Sequence, residues 1–372
     1  MQKSLLKVSL FVSGLFLILI SAVVAPVKAS ADRQSTVLEQ GKYIVSIAGC
    51  NDCHTNLKPD YMVDPKTWTM AQLQTIAFNA KDALDEKDKY MAGGRLFDLG
   101  PAGKVFSANL TPDVETGIGG WTDEQIKVAI RTGQRPSGRI LVPVMPYHSL
   151  NSIADADLDA VVAYLRSIPA VKNAVPEPTF ITEGLKPLPY KQGISAPAPA
   201  DKAARGAYLV NTLTGCTDCH TPLDPANGAP MMDKYLAGGQ PYEGPWGIVY
   251  GGNITPDAET GIGSWTEQEI KISLITGVNK QGRRLILMPW FVYSNLTNED
   301  ADAVAYHIKN GLKAVKNEIP AASVNEAFNV LAPQAAQPTT PTSTYIIVGG
   351  ALLILAIVAV TLLFTRRKKP TA

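Results

Sequence analysis

The chain has few of the side chains that build redox and metal sites. Its 372 residues include only four cysteines and four histidines. All four cysteines and two of the histidines lie in two short runs, Cys50-Asn51-Asp52-Cys53-His54 and Cys216-Thr217-Asp218-Cys219-His220. Both cysteine pairs are used by these runs, so the sulfur chemistry of the chain is confined to two places.

A convincing strand pattern is also lacking. No segment alternates apolar and polar residues as a half-buried strand does, and no βαβ pattern surrounds either cysteine run. A thioredoxin-like dithiol is therefore disfavoured. A compact zinc module is disfavoured because about 160 residues separate the two runs, and a disulfide within one run would close only a very short loop. The apolar residues that do recur follow helical spacing, which predicts an all-α fold.

The pattern Cys-x-x-Cys-His is typical of covalent haem attachment. Two thiols at this spacing add to the two vinyl groups of the porphyrin, while the adjacent imidazole binds the iron. The sequence therefore predicts two covalently attached haem c groups. They are held by Cys50, Cys53 and His54 in one place and by Cys216, Cys219 and His220 in the other.

The N-terminal segment has the features of a signal peptide. Lys3 and Lys7 precede an apolar run from Val8 to about Val27, and Ala29-Ser30-Ala31 resembles a signal-peptidase site. Residues 1–31 are predicted to be cleaved, with an uncleaved membrane anchor as the alternative. Either interpretation sends the following chain across the membrane.

The C-terminal segment has the features of a membrane anchor. The run from Tyr345 to Phe364 has 20 residues without a charge, and about 20 residues span a bilayer core as a helix. Residues 365–372 contain a basic cluster that is expected to stay cytoplasmic, and residues 319–344 have the composition of a flexible tether. The prediction is a single-pass protein of the cytoplasmic membrane with its folded part on the periplasmic side.

The charge of the folded part disfavours nucleic acid. Seven of the 34 basic residues lie in the terminal segments, which contain no acid, and this leaves 27 basic against 33 acidic residues. A modest negative charge favours a basic or neutral redox protein as partner.

The region between the terminal segments is an internal duplication. Residues 109–121, Asn-Leu-Thr-Pro-Asp-Val-Glu-Thr-Gly-Ile-Gly-Gly-Trp, recur with three changes at 253–265. Each haem motif stands near the start of its copy. Two homologous domains are predicted at residues 32–175 and 200–318, joined by a proline-rich connector at 176–199.

The duplication also predicts the sixth ligand of each iron. Methionine is the usual partner of histidine in electron-transfer c-type haems, and only Met145 and Met288 occupy equivalent places among the eight methionines. The metal ligands are therefore predicted to be His54 with Met145 and His220 with Met288. Met packing in a core is the alternative for both. His148, close to Met145, is a weaker candidate, because Phe291 stands at its place in the second copy.

Two arginines are candidates for holding the carboxylates of the cofactor. Arg139 and Arg283 each follow a glycine and precede the proposed methionine. They could pair with haem propionates, while solvated side chains explain them equally well. Asn109, Asn253, Trp121 and Trp265 have the same two interpretations, a propionate contact or a structural role.

These residues carry a resemblance to a known family. Both Cys-x-x-Cys-His runs, the Met-Pro pairs and the Asp-Ala-Val-Val-Ala-Tyr-Leu-Arg-Ser-Ile-Pro ending are similar to class I cytochromes c. More narrowly, the segments resemble the membrane-bound cytochrome c subunits of periplasmic alcohol and aldehyde dehydrogenases. The resemblance implies two tandem class I cytochrome c domains, to which the sequence adds one C-terminal transmembrane helix.

A transfer of single electrons follows from the predicted ligands, because neither iron would offer an open position to a substrate. The leading prediction is a membrane-anchored dihaem cytochrome and not an enzyme. It would carry electrons from a dehydrogenase or a quinol-oxidising complex to a respiratory acceptor such as a terminal oxidase. The alternatives are a fixed electron-accepting subunit of a dehydrogenase complex, with residues 57–87 as its docking surface, and a dihaem peroxidase.

Overall fold

The computed structural model describes residues 35–180, 182–226 and 228–331. The predicted signal peptide, membrane helix and basic tail lie outside these ranges, as do residues 332–344 of the predicted tether. Within the ranges, no helix is both long and apolar enough to cross a membrane. The prediction of a single-pass membrane protein is corrected on this finding.

Both repeats contain the same five helices in the same order, and the first repeat has one more. The first repeat has α1 (residues 35–47), α2 (Cys50–His54), α3 (Met70–Asn79), α4 (Asp123–Thr132), α5 (Tyr147–Leu150) and α6 (Asp155–Ser167). The second has α7 (Lys202–Tyr208), α8 (Cys216–His220), α9 (Glu267–Thr276), α10 (Trp290–Tyr293) and α11 (Asn298–Tyr306). Wider π turns extend α7 over Leu209–Leu213 and α11 over His307–Gly311. The additional helix is α3, which lies in the longer loop of the first repeat.

Capping residues start the middle helix of each repeat. The Thr122 hydroxyl accepts a hydrogen bond from the backbone N–H of Gln125, and the Gln125 side chain accepts one from the backbone N–H of Thr122. Thr266 and Glu269 form the same pair at the start of α9. These reciprocal bonds satisfy N–H groups that have no partner within a helix. A capping box is therefore present in both repeats, as the Thr-x-x-Gln and Thr-x-x-Glu patterns of the sequence predict.

The prediction of an all-α fold is wrong, because each repeat also contains a short antiparallel hairpin. Strands β1 (Leu96–Asp98) and β2 (Lys104–Phe106) pair in the first repeat, and β3 (Pro241–Gly244) and β4 (Gly247–Tyr250) pair in the second. Strand β5 (Ser323–Val324) adds to β4, with Gly247 opposite Val324. Strands of two to four residues are too short for sequence alternation to reveal. The pairing also places part of the predicted tether against the second repeat.

A glycine allows the first and last helices of each repeat to cross closely. A Cβ atom at Gly41 would overlap the backbone carbonyl of Ala160 on α6, and one at Gly206 would overlap that of Ala303 on α11. These crossings bring α1 against α6 and α7 against α11. They fix the direction in which α1 and α7 lead into the two cysteine motifs.

Substitution of either crossing glycine is expected to destabilise its repeat. Gly41→Ala and Gly206→Ala should each lower the free energy of unfolding by about 1–3 kcal/mol, because the added methyl group forces the helices apart. Denaturant unfolding followed by circular dichroism measures the loss. Gly120→Ala is the control, since Ser264 occupies the equivalent position and the nearest atom to the new Cβ lies 3.6 Å away. Equal stability of all three variants would contradict the tight crossing.

The two repeats are joined by a crossed pair of hydrogen bonds. The Tyr43 hydroxyl of the first repeat donates to Asp300 of the second at 2.5 Å, and the Tyr208 hydroxyl of the second donates to Asp157 of the first at 2.7 Å. Within its own repeat, Asp300 also receives two hydrogen bonds from Arg205, at 2.8 and 2.7 Å. Tyr43, Arg205 and Asp300 are far apart in the sequence, so this cluster exists only in the folded chain.

One hydrophobic core runs through both repeats. Ile44, Val45 and Leu158 from the first repeat and Leu209 and Val304 from the second lie in the same buried cluster, each no more than 1% exposed. Burial of apolar surface is the main favourable term in folding. The repeats therefore stabilise each other.

Candidate functional site

Each cysteine motif forms one short helix that begins at a left-handed glycine. Gly49 has φ 68° and Gly215 has φ 59°, and these residues cap α2 and α8. Glycine adopts this conformation without the steric cost of a side chain. The chain therefore turns sharply from α1 or α7 into the motif, and the two cysteines and the histidine are presented on one short helical turn.

In the first repeat, the predicted site residues line one cavity. The cavity has a volume of about 460 Å³, and Cys50, Cys53, His54 and Met145 all contribute to its wall. Most of the remaining wall is apolar and comes from α1, α4, α6 and the loops between them. Large apolar residues in it include Ile44, Leu110, Trp121, Ile126 and Leu165. Two thiols, an imidazole and a thioether around an apolar cavity match the donors and the environment that a c-type haem requires.

The imidazoles of both motifs are held in the same orientation. Nδ1 of His54 lies 2.7 Å from the carbonyl oxygen of Ala108, and Nδ1 of His220 lies 2.7 Å from that of Gly252. A carbonyl only accepts, so Nδ1 carries the proton and Nε2 keeps its lone pair. Burial lowers the pKa of both histidines, although these hydrogen bonds oppose the shift. Both rings are therefore neutral, as an iron ligand must be.

Burial disfavours the thiolate form of the motif cysteines. It raises the pKa of Cys50 to about 12 and that of Cys53 and Cys216 to about 11. A catalytic dithiol needs the opposite shift, because the thiolate is the attacking species. This environment disfavours the redox-dithiol alternative for both motifs.

Two arginines stand at the wall of the first cavity. Arg139 was predicted from the sequence, and its Nη1 donates to Glu177 at 3.0 Å. Arg135, which sequence reasoning missed, also lines the cavity and lies over the Trp121 ring, 5.6 Å from its centroid. Burial and the charge of Arg139 lower the pKa of Arg135. Two guanidinium groups at the wall of the cavity can pair with carboxylates of a bound group. The sequence signal that could have identified Arg135 is its position four residues before Arg139.

The surroundings of the two motifs differ at one aspartate. Asp52 in α2 accepts a hydrogen bond from Nη1 of Arg95 at 3.1 Å. Arg95 follows Gly93 and Gly94, and the residue at the equivalent position of the second repeat is the uncharged Gln240. Without an arginine partner there, burial raises the pKa of the Asp218 carboxyl group. The Tyr242 hydroxyl donates to the backbone carbonyl of Asp218 at 3.3 Å. The first motif helix is thus held by an ion pair and the second by a neutral tyrosine.

The remaining predicted residues of the second site occupy equivalent positions. Met288 packs against the hydrophobic core that contains Cys216, and it precedes α10 as Met145 precedes α5. Arg283 donates a hydrogen bond to Asn329 in the C-terminal part of the described chain. His148, the weaker candidate near Met145, is exposed and stacks on Tyr147.

Asn109 and Asn253 have structural roles that use most of their polar atoms. The Asn109 side chain donates to Val171 O at 2.8 Å and accepts from the backbone and hydroxyl of Thr111. Asn253 makes the same contacts with Val315 O and Thr255. These bonds tie the loop to the segment that follows the last helix of each repeat. The structure thus favours the turn interpretation of both residues.

Each motif lies against the short helix that follows the proposed methionine ligand of the other repeat, α5 or α10. The hydroxyl oxygens of Ser149 in α5 and Thr217 in α8 are 3.4 Å apart. On the opposite side, a Cβ at Gly49 would lie 3.7 Å from Val292 in α10. Each motif therefore lies close to the boundary between the repeats.

Comparison with known proteins places this architecture among cytochromes. No protein-family model matches the chain. It is 32% identical to the fructose dehydrogenase cytochrome subunit of Gluconobacter japonicus over 270 residues, which cover 69% of this chain and 48% of the relative. It is 30% identical to the gluconate 2-dehydrogenase cytochrome c subunit of Pantoea cypripedii over 62% of this chain and 60% of the relative. A dihaem cytochrome c of Cereibacter sphaeroides is 29% identical over 66% of this chain and 78% of its own length.

These homologues are cytochrome c subunits of dehydrogenases and a dihaem cytochrome c, which confirms the family resemblance predicted from the sequence. Their names are those of cytochrome subunits and of a dihaem cytochrome, and the prediction of a non-enzymatic electron-transfer protein agrees with them. They also imply covalently attached haem c. The chain spans about half of the length of the fructose dehydrogenase subunit.

Proposed function

We propose that the chain is a dihaem c-type cytochrome that accepts electrons from a dehydrogenase partner. The observation that carries this proposal is the single cavity lined by Cys50, Cys53, His54 and Met145. The names of the relatives favour a subunit of a dehydrogenase complex over a free carrier. Reversible one-electron reduction is the chemistry that haem c supplies when it is bound.

The chain's own residues hold and orient the cofactor. Cys50 and Cys53 would hold a haem through thioether bonds and His54 would give it a nitrogen ligand, while the hydrogen bond to Ala108 O keeps the imidazole in place. Met145 lines the same cavity and would give the iron a sulfur ligand. Arg135 and Arg139 neutralise the propionates. Cys216, Cys219, His220 and Met288 have the corresponding roles in the second repeat.

The close packing of the two sites supports electron exchange between them. Ser149 and Thr217 meet at the boundary of the repeats, and apolar residues of one continuous core surround both sites. In an apolar site that is already formed, the positions of the surrounding residues should change little when the haem iron gains or loses an electron. Such an arrangement suits electron transfer without a conformational step.

Part of the segment predicted to be a docking surface is itself buried. Ala77 and Phe78 in α3 are 1% and 7% exposed, and they pack within the protein. Met62 and Val63 in the same segment are 60% and 50% exposed. A partner could therefore protect the exposed residues at both ends of this segment, but not Ala77 and Phe78.

Replacement of each proposed methionine ligand tests the function. Met145→Leu and Met288→Leu should each remove half of the far-red absorption band of Met-ligated ferric haem. Each should also lower the potential of one haem by on the order of 100 mV, because Met raises the potential. Met91→Leu is the matched control, since Leu236 stands at its equivalent position, and it should leave the band unchanged.

The unmodified holoprotein should show two one-electron waves in a potentiometric titration and no turnover of hydrogen peroxide. A dehydrogenase subunit that copurifies with the full chain should reduce both haems when its substrate is added. A high-spin haem that reacts with peroxide would instead support the peroxidase alternative and contradict the proposed ligands.

A further inference from the structure

Helix α3 of the first repeat packs against the second repeat. Its residues Ala77 and Phe78 form a small buried cluster with Phe328, which is 2% exposed and lies beyond α11 near the end of the described chain. The Gln74 side chain donates to Ala327 O at 2.8 Å. The described part of the second repeat has no counterpart of α3, and the contact therefore has no equivalent there.

The C-terminal end of α3 provides two carbonyl groups to the Met288 loop. Carbonyls in the last turn of a helix have no partner within the helix. Here, Ala77 O accepts from the backbone N–H of Leu287 at 2.8 Å, and Phe78 O accepts from Nε1–H of Trp290 at 2.6 Å. Leu287 and Trp290 flank Met288. The helix end of one repeat therefore holds both sides of the proposed iron ligand of the other.

The backbone at Leu287 is in a conformation that needs such support. Leu287 has φ 62°, a left-handed conformation that is uncommon for residues other than glycine. A residue in this region persists when its surroundings determine the conformation. The equivalent residue in the first repeat, Val144, does not have a positive φ and is 38% exposed. The two methionine loops are thus held in different ways.

We propose that α3 is a positioning element that keeps Met288 in place, so that an external ligand displaces Met288 from its iron less readily than Met145. This inference rests on the proposed function, in which both methionines are iron ligands. Its physical basis is that opening of the Met288 loop breaks two hydrogen bonds to α3. Opening of the Met145 loop does not involve α3.

The test uses imidazole as the displacing ligand and the full ferric holoprotein. In a Met145→Leu background the far-red band reports on Met288, and in a Met288→Leu background it reports on Met145. We expect that loss of the band requires a higher imidazole concentration in the first background than in the second. Phe78→Ala and Trp290→Phe should each lower the concentration needed at Met288 by on the order of tenfold.

Two controls separate this role from a general loss of structure. Phe78→Ala in the Met288→Leu background should leave imidazole binding at Met145 unchanged, which also shows that the chain is folded. Tyr147→Phe removes the hydroxyl at the position equivalent to Trp290 and should not change the Met288 site. Phe78 lies in the other repeat and is remote from Met288 in sequence. An effect of Phe78→Ala on the Met288 site would therefore act through α3.

The outcomes distinguish the inference from the function on which it rests. If Met145→Leu and Met288→Leu each retain the whole far-red band, the methionines are not ligands and both proposals fall. If each removes half of the band but Phe78→Ala and Trp290→Phe leave imidazole binding unchanged, the ligands stand and the role of α3 is refuted.

Discussion

A chain with Cys216→Ala and Cys219→Ala is expected to carry one covalent haem instead of two. These two cysteines are the proposed attachment points in the second repeat, and thioether bonds cannot form without the sulfur atoms. The pyridine haemochrome content per chain and the mass of the denatured protein should both show the loss of one haem. In small domains with much loop, a bound group also contributes to folding. The variant should therefore unfold at a lower temperature than the unmodified chain.

The matched variant replaces Cys50 and Cys53 with alanine. It should also retain one haem, and the remaining far-red band should now disappear with Met288→Leu and not with Met145→Leu. A double-cysteine variant that keeps two covalent haems would show that the motif is not the attachment site. The paired design is possible because the duplication provides two copies of the same site.

Arg205→Ala is expected to lower the free energy of unfolding by about 3 kcal/mol, because removal of one partner of a buried ion pair leaves the other charge uncompensated. The Arg205 and Asp300 side chains are 8% and 6% exposed, and the pair is bidentate. Asp300 also joins the repeats through Tyr43. Denaturant unfolding at neutral pH measures the change.

A control for this prediction lies one turn earlier on the same helix. Lys202 and Glu267 form an ion pair at 2.9 Å with side chains 43% and 39% exposed. Solvent screens such a pair, so Lys202→Ala should cost less than about 1 kcal/mol. Similar losses for Arg205→Ala and Lys202→Ala would contradict the importance of the buried pair.

The same junction predicts a loss of stability in acid. Burial by itself would raise the pKa of Asp300, but the hydrogen bonds from Arg205 and Tyr43 outweigh it and lower the pKa. A lowered pKa in the folded state stabilises the protein above the unfolded value of about 3.9, and this contribution is lost as the pH falls through the folded value. The difference in stability between the unmodified chain and Asp300→Asn should therefore shrink as the pH falls below about 4. If the difference in the free energy of unfolding between the two proteins does not depend on pH, the predicted contribution of Asp300 is contradicted.

Local chemistry and the duplication explain which features the sequence predicts well. The Cys-x-x-Cys-His runs predict haem attachment from five residues alone, and comparison of the copies predicts Met145 and Met288 as ligands without any structure. The capping boxes at Thr122 and Thr266 are equally local, since their bonds join residues three positions apart. Features of this kind need no knowledge of distant contacts.

The features that sequence reasoning missed depend on distant contacts. The short strands form because β1 meets β2 and β4 meets both β3 and β5, and their residues have too little alternation to predict pairing. Arg135 became a candidate through its place at the cavity wall. The contact of α3 with Leu287 and Trp290 joins positions more than two hundred residues apart.

The sequence by itself predicted a duplicated c-type cytochrome and named the residues that would attach and ligate each haem. These properties reside in covalent chemistry and in short motifs. Only the tertiary structure decided that Tyr43 and Tyr208 cross between the repeats, that one core serves both, and that α3 of one repeat supports the Met288 loop of the other. The physical reason is that hydrogen bonding and burial depend on which surfaces meet in space, and a repeat read on its own does not contain that information.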